Sequence, residues 1–142
     1  MIKIRQFNEL CNTLVMVSGA QGYCLIAQDG HAVNKLADKA GLQLACVMPQ
    51  KGFDGSKDSY IQKNTFIIYC LIKDDDGQTD DQELDQYERA EEGILKIFDY
   101  LCEGDNRNNC PPFPNIDVHN IMIDPEWREF GGWNGWSITV TI

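Results

Sequence analysis

Glycine-rich phosphate loops, Cys-x-x-Cys pairs and His-Glu-x-x-His helices are all absent from this chain of 142 residues. Their absence removes the sequence arguments for a nucleotide fold, a zinc knuckle or thioredoxin-like site, and a zinc protease. No serine-centred elbow appears either, and the two histidines, His31 and His119, lie far apart in the chain. Positive charge is scarce: 12 Lys and Arg face 22 Asp and Glu, a net of −10. That balance argues against direct binding to a phosphate backbone or to anionic lipid. No apolar run approaches the roughly 20 residues that a membrane-spanning helix requires. The first ten residues lack the uninterrupted apolar core of a signal peptide, so a cytoplasmic location with reduced thiols is expected.

Cysteine is present, and its positions speak against a disulfide framework. Cys24, Cys46 and Cys70 fall within apolar runs, and Cys11 and Cys102 fall on expected helices. A free cysteine there packs as a small hydrophobe. Cys102 and Cys110 are the pair closest to a loop.

The chain is organised around residues 64–102. Asn64–Ile72 is almost unbroken in apolar, β-branched and aromatic residues, which predicts a strand covered on both faces. An acidic turn, Asp74 to Gln78, follows. Thr79 and Gln82 then have the spacing of a capping box, and Leu84, Tyr87, Ile94, Ile97, Phe98 and Leu101 give one apolar helical face ending at Gly104.

Upstream, Ile4, Phe7, Leu10, Cys11, Leu14 and Val15 predict an N-terminal helix to about Met16. Tyr23–Ala27 fits a short strand or a buried turn, and Ala32, Leu36 and Ala40 a short helix closed by Gly41. Leu42–Met48 is a strand expected to stop at Pro49. Residues 50–63 are polar and glycine-bearing, and their length predicts a mobile connection in the form of a long hairpin arm. Downstream, residues 103–115 predict an extended crossing, Val118–Ile123 a strand, and Asp124–Gly135 an aromatic loop. In Trp136–Ile142 the alternation turns Trp136, Ile138, Val140 and Ile142 to the core. The expected fold is a single α+β domain, with a mainly antiparallel sheet of four to five strands and helices on one face, rather than a βαβ nucleotide fold.

Two constellations stand out. Asp74, Asp76, Asp80 and Glu83 occupy the third, fifth, ninth and twelfth places of a calcium loop with Gly77 at the sixth, but Ile72 takes the first place. A solvated turn at a helix N-terminus is the plainer reading, and no metal or cofactor is expected. The second is aromatic: Phe53 and Tyr60 in the arm, with Trp127, Phe130 and Trp133 in the late loop, are candidates for an interface. Trp127 and Trp133 fit equally well as the closed end of the sheet. Nothing here has the paired, desolvated placement that acid–base catalysis needs, so a non-enzymatic role is expected.

The order of elements resembles phage tail-terminator and head–tail neck proteins. The likeness is carried by Asn64–Ile72, Thr79–Leu101 and the closing stretch Phe130–Val140, over the last two-thirds of the chain. It implies a small structural α+β subunit that forms a homo-oligomeric ring and joins a tail tube to a head, with tail-tube and neck proteins as partners and a place in the virion. A second reading is an acidic DNA mimic that inhibits a basic nucleic-acid-binding protein. It is motivated by residues 72–142, which carry seventeen acidic and five basic side chains against five and seven in residues 1–71. The same asymmetry would favour head-to-tail contact between copies.

Overall fold

The computed structural model describes residues 2–104 and 111–142, and the sequence readings on Cys110 and on much of the 103–115 crossing lie outside them. The elements are α1 (Ile4–Ser18), β1 (Gly22–Ile26), α2 (Asp29–Leu36), β2 (Leu42–Ser56), β3 (Ser59–Lys73), α3 (Asp80–Glu103), β4 (Ile121–Glu129) and β5 (Trp133–Thr141). One five-stranded sheet has the order β1-β2-β3-β5-β4. All its pairings are antiparallel except β1 with β2. The expected α+β class and mostly antiparallel sheet are what the chain adopts.

The sheet buries both faces, as the apolar run of β3 requires. Phe66, Ile68 and Cys70 point to one side, where α1 contributes Phe7, Leu10, Cys11 and Leu14 and α3 contributes Ala90, Ile94, Ile97 and Leu101. Trp136 and Ile142 pack against this core, and Ile138 and Val140 are buried within it, as the alternation of β5 foretells. Thr79 caps α3 through its side chain, and Gln82 Oε1 accepts from the Thr79 amide at 2.8 Å. Gly93 lets this helix settle on the sheet, since a Cβ there would stand 2.8 Å from Cys70 Sγ.

Several boundaries and faces differ from expectation. The short strand or buried turn expected at Tyr23–Ala27 is a strand, Gly22–Ile26, and β1–α2–β2 is a parallel crossover, so a βαβ unit is present after all. Its helix lies on the second face of the sheet, where Ala32 and Leu36 pack with Ile26, Ala45 and Leu71, so only α1 and α3 share a face. Eight residues with two inward positions are too few for a strong amphipathic signal. Pro49 does not end β2: the ladder resumes beyond a register shift between Val47 and Gln50. A bulge accommodates the missing amide without ending the pairing. Val118–Asn120 is a 3-10 turn, whereas Asp124–Glu129, expected as loop, is strand. Pro125 is tolerated there because β4 lies at the sheet edge. Leu84, assigned to the inner face of α3, is exposed.

Candidate interaction surface: the hairpin arm and the groove at its base

Strands β2 and β3 pair from the centre of the sheet out to Ser56 and Ser59. The predicted arm is therefore an ordered two-stranded hairpin that runs beyond the helices, with residues 50–61 all exposed. The bulge at Met48–Pro49 sets its side-chain phase. Before it, even-numbered residues of β2 (Leu42, Leu44, Cys46) face the α1/α3 core; after it, Phe53 is opposite Gln62 and Gly55 opposite Tyr60. Phe53 and Tyr60 thus share a face with Gln62, Asn64 and Phe66, the face that α1 covers closer to the domain. At the tip nothing covers it: Phe53 is 67% exposed and Tyr60 60%, and their rings meet edge-on with centroids 5.6 Å apart. Ile61, on the opposite face, is also exposed. A Cβ on Gly55 would meet the Ser59 carbonyl oxygen at 2.4 Å, so the close approach of the two strands at the turn needs glycine.

A groove of 490 Å³ opens where the same face enters the domain. Ile2 and Leu10 form one wall, Phe113 and Ile116 the other, and Asn64 and Ile142 the floor. The Asn64 amide and carbonyl both pair with Ile142 at 2.8 Å. Its side chain is buried, yet Oδ1 has no hydrogen-bond partner among the described residues. A buried carbonyl oxygen left this way costs about 1–3 kcal/mol. That signal is invisible in the sequence, where Asn64 marks only the start of an apolar run.

The late aromatics divide. Phe130 and Trp133 are buried, packed with Leu36, Ala45 and Leu71 in the second core, which removes both from the interface candidates. Trp127 remains exposed, because a register shift between Glu126 and Glu129 turns it outward, and Arg128 lies over its ring at 5.1 Å. Arg128 and Phe130 have φ of 51° and 50°, with Gly131 and Gly132 completing the left-handed turn into β5. The Arg128 amide donates to Asn134 Oδ1 at 2.8 Å, which anchors this turn to the buried side chain of Asn134.

The acidic turn does not assemble the calcium-loop residues. Asp74 accepts from Arg128 Nε at 3.1 Å across the sheet end, while Asp80 and Glu83 belong to the first turn of α3. Among the described residues, no three His, Cys, Asp or Glu side chains converge as a metal would require. Burial first, then Glu126 and Asp29, push the Glu129 carboxyl above its ordinary range. Cys11, Cys24, Cys46, Cys70 and Cys102 are free thiols, with Cys11, Cys46 and Cys70 fully buried and Cys24 partly shielded. Burial raises the thiols of Cys46 and Cys70, the latter to about 12, so both are held as neutral core groups. His119 is exposed in the 3-10 turn, and His31 is spent on the start of α2, where its Nδ1 accepts from the Ala27 amide at 3.2 Å. No described helix is long and apolar enough to cross a membrane. No protein-family model matches the chain, and no curated protein matches its sequence.

Proposed function

We infer that the protein is a structural subunit of the tail-terminator or neck type, which closes into a ring with copies of itself and joins a tail tube to a head. The observation that carries this reading is the hairpin arm. Two strands of fifteen residues are far longer than the sheet core uses, and residues 50–61 of the outer half are all exposed. Typical strands run five to six residues. An ordered arm with two paired aromatics at its tip makes sense as a reach toward a neighbour, where strand or side-chain contacts become an interface. Where such a contact is heterologous and closes, it gives a ring. Tail-tube and neck proteins are then the further partners, and the protein is made in the host cytoplasm before it enters the virion.

Sedimentation at several protein concentrations and two ionic strengths tests the reading. A closed oligomer of fixed number, dissolving on dilution, is expected. Removal of Gly52–Ser59 should leave a folded monomer. A wild type that stays monomeric at high concentration and low salt counts against self-assembly.

The second reading, an acidic inhibitor that imitates DNA, draws on α3. Asp81, Asp85, Glu88 and Glu92 are exposed at spacings of four, three and four along one helical face. A persistent monomer that binds and inhibits one member of a panel of basic DNA-binding enzymes would favour it over the ring.

A further inference from the structure

We propose that the free edge of β2 in the arm, Lys51 to Gly55, pairs antiparallel with the same edge of a second copy, with Phe53 opposite Phe53 across a two-fold axis. The inference rests on the reading of the arm as a contact between copies and names the surface that makes it. Register fixes where the backbone of the arm points. The Asn64 amide and carbonyl both serve Ile142 in β5, and along an antiparallel strand successive residues serve opposite neighbours. Ser59, Ile61, Lys63 and Thr65 therefore serve β2, through Ser56, Asp54, Gly52 and Gln50 opposite them. Lys51, Phe53 and Gly55 are left with amides and carbonyls directed away from β3. The neighbour on that side, β1, has already ended, since its pairing stops at Val47.

An exposed row of such donors and acceptors is a template for another strand. The outer strands of the sheet are guarded against this. β1 is five residues long, and β4 is interrupted by Pro125 and by the shift between Glu126 and Glu129. Along the arm, Gln50 to Ser56 pairs with β3 without a further shift and holds no proline. Lys51, on the aromatic face, is drawn back to the domain, where its Nζ donates to the Ile2 carbonyl at 3.2 Å. What this edge fits is itself. Antiparallel pairing about Phe53 sets Lys51 opposite Gly55, Gly52 opposite Asp54 and Gln50 opposite Ser56. Every outward residue then meets an outward residue, and no two like charges are opposed. A two-fold axis perpendicular to the sheet keeps the faces in common. Phe53 and Tyr60 of each arm, exposed when alone, merge with those of the other into one aromatic cluster. Such a contact is isologous and joins copies in pairs, so a ring that contains it has an even number of subunits.

Register-specific cross-linking tests this. Gly52→Cys and Asp54→Cys both alter exposed positions, and a Cβ at Gly52 meets nothing within 4 Å. Each variant is oxidised with diamide, alone and in an equal mixture with the other, and the linked peptides are identified by mass. The mixture is expected to form a disulfide between positions 52 and 54 of two copies about tenfold faster than either variant links to itself. Like positions are offset by two residues along the pair, beyond the ~7 Å between Cα atoms that a disulfide spans. Phe53→Lys opposes two like charges across the axis, and is expected to weaken association about tenfold while circular dichroism shows an unchanged fold. If the wild type assembles and the mixture shows no preference for the 52–54 link, the edge pairing is overturned while the arm as a contact between copies stands. The same holds if position 52 or 54 links to another part of the second copy, if Phe53→Lys associates undiminished, or if the ring has an odd number of subunits. A monomeric wild type overturns the contact between copies and this pairing together.

Discussion

Strand β3 lives in two environments. Phe66, Ile68 and Cys70 are fully buried under α1 and α3, Leu71 is fully buried in the second core, and Thr65, Ile67 and Tyr69 are half-buried. From Ser59 to Lys63 only Gln62 is even partly covered. The hydrogen-bonded ladder with β2 runs through both, interrupted only by the bulge at Met48–Pro49. Backbone pairing therefore does not distinguish the halves; burial does, and burial supplies most of the stabilisation. The inner half is there to make the domain. The outer half adds ordered backbone without a matching gain in buried area.

The sharpest way to break this comparison is to truncate one aromatic in each half. Phe66 is fully buried, with Phe7 5.2 Å away on one side and Phe113 6.0 Å on the other. Phe66→Ala should cost about 3–5 kcal/mol, read from the shift in urea midpoint. Phe53→Ala, at the arm tip, should cost under about 0.5 kcal/mol in the monomer. Comparable losses from the two would mean that the arm is part of the folding core.

The next largest effect is alkaline instability, and it belongs to the inner half alone. Cys70, raised by burial from 9.0 to about 12, and Cys46, raised well above 9.0 by burial and the nearby Cys11 thiol, are both on the core side. Tyr69, on the opposite face of β3, is pushed from 10.0 to about 12 by burial and by Glu126 and Glu129. These folded values lie above the unfolded ones, so the neutral forms are favoured by the fold. Stability is then intact below about pH 9 and lost as pH rises toward 12, because the unfolded chain releases its protons first. The slope per buried group approaches about 1.4 kcal/mol per pH unit. Urea midpoints between pH 8 and 11 should fall steadily, and Cys70→Ala should flatten the curve.

How much of this was legible in the sequence follows the same division. The inner half was: the apolar run of β3, the capping box at Thr79 and Gln82, and the alternation of β5 each encode a local rule that tertiary packing did not override. The arm was legible as a hairpin from its length and composition. Its phase was not, because the bulge at Met48–Pro49 moves Phe53 onto the core-side face and no local pattern announces a one-residue slip. The second core was legible only in part: burial of both faces of β3 and a closed sheet end at Trp133 were open in the sequence, but not which residues meet there. Phe130 and Trp133 sit among glycines in what resembles an open loop, and only the crossover helix α2, too short to show a period, reveals that they have something to pack on. Asn64 Oδ1 lay beyond any sequence rule, since an unpaired acceptor is a property of the assembled fold.

Close packing offers a smaller test. At Gly93 a new Cβ would stand 2.8 Å from Cys70 Sγ and 3.5 Å from the Ser18 carbonyl oxygen. Gly93→Ala gains about 1 kcal/mol of helix propensity but forces apart a helix and a sheet that cannot relax, at about 1–3 kcal/mol. A net loss of about 1 kcal/mol in thermal or urea unfolding is expected. Removing the sulfur, in Gly93→Ala combined with Cys70→Ala, should recover part of it relative to the sum of the single changes, because the two sites are in contact. A Gly93→Ala that stabilises the protein would show that α3 sits less tightly on the sheet than the geometry requires.

The smallest effect should come from the arm's own ion pair. Lys63 Nζ and Asp54 Oδ2 are 3.2 Å apart, but the two side chains are 52% and 70% exposed. At the sheet end, Arg128 Nε and Asp74 Oδ2 are 3.1 Å apart, and the Asp74 side chain is only 11% exposed. Solvent and salt screen the first pair far more than the second. Asp54→Asn should therefore shift the urea midpoint by less than about 0.5 kcal/mol at any salt concentration. Asp74→Asn should cost more, about 1 kcal/mol or above, since it weakens a charge-assisted bond to a shielded carboxylate. The register places Asp54 opposite Ile61, on the face of the arm turned away from Phe53 and Tyr60. Asp54→Asn should then leave self-association unchanged as well, measured by sedimentation beside the tip variants. A loss of assembly on Asp54→Asn, with stability intact, would move the working face of the arm from its aromatic side to its charged one.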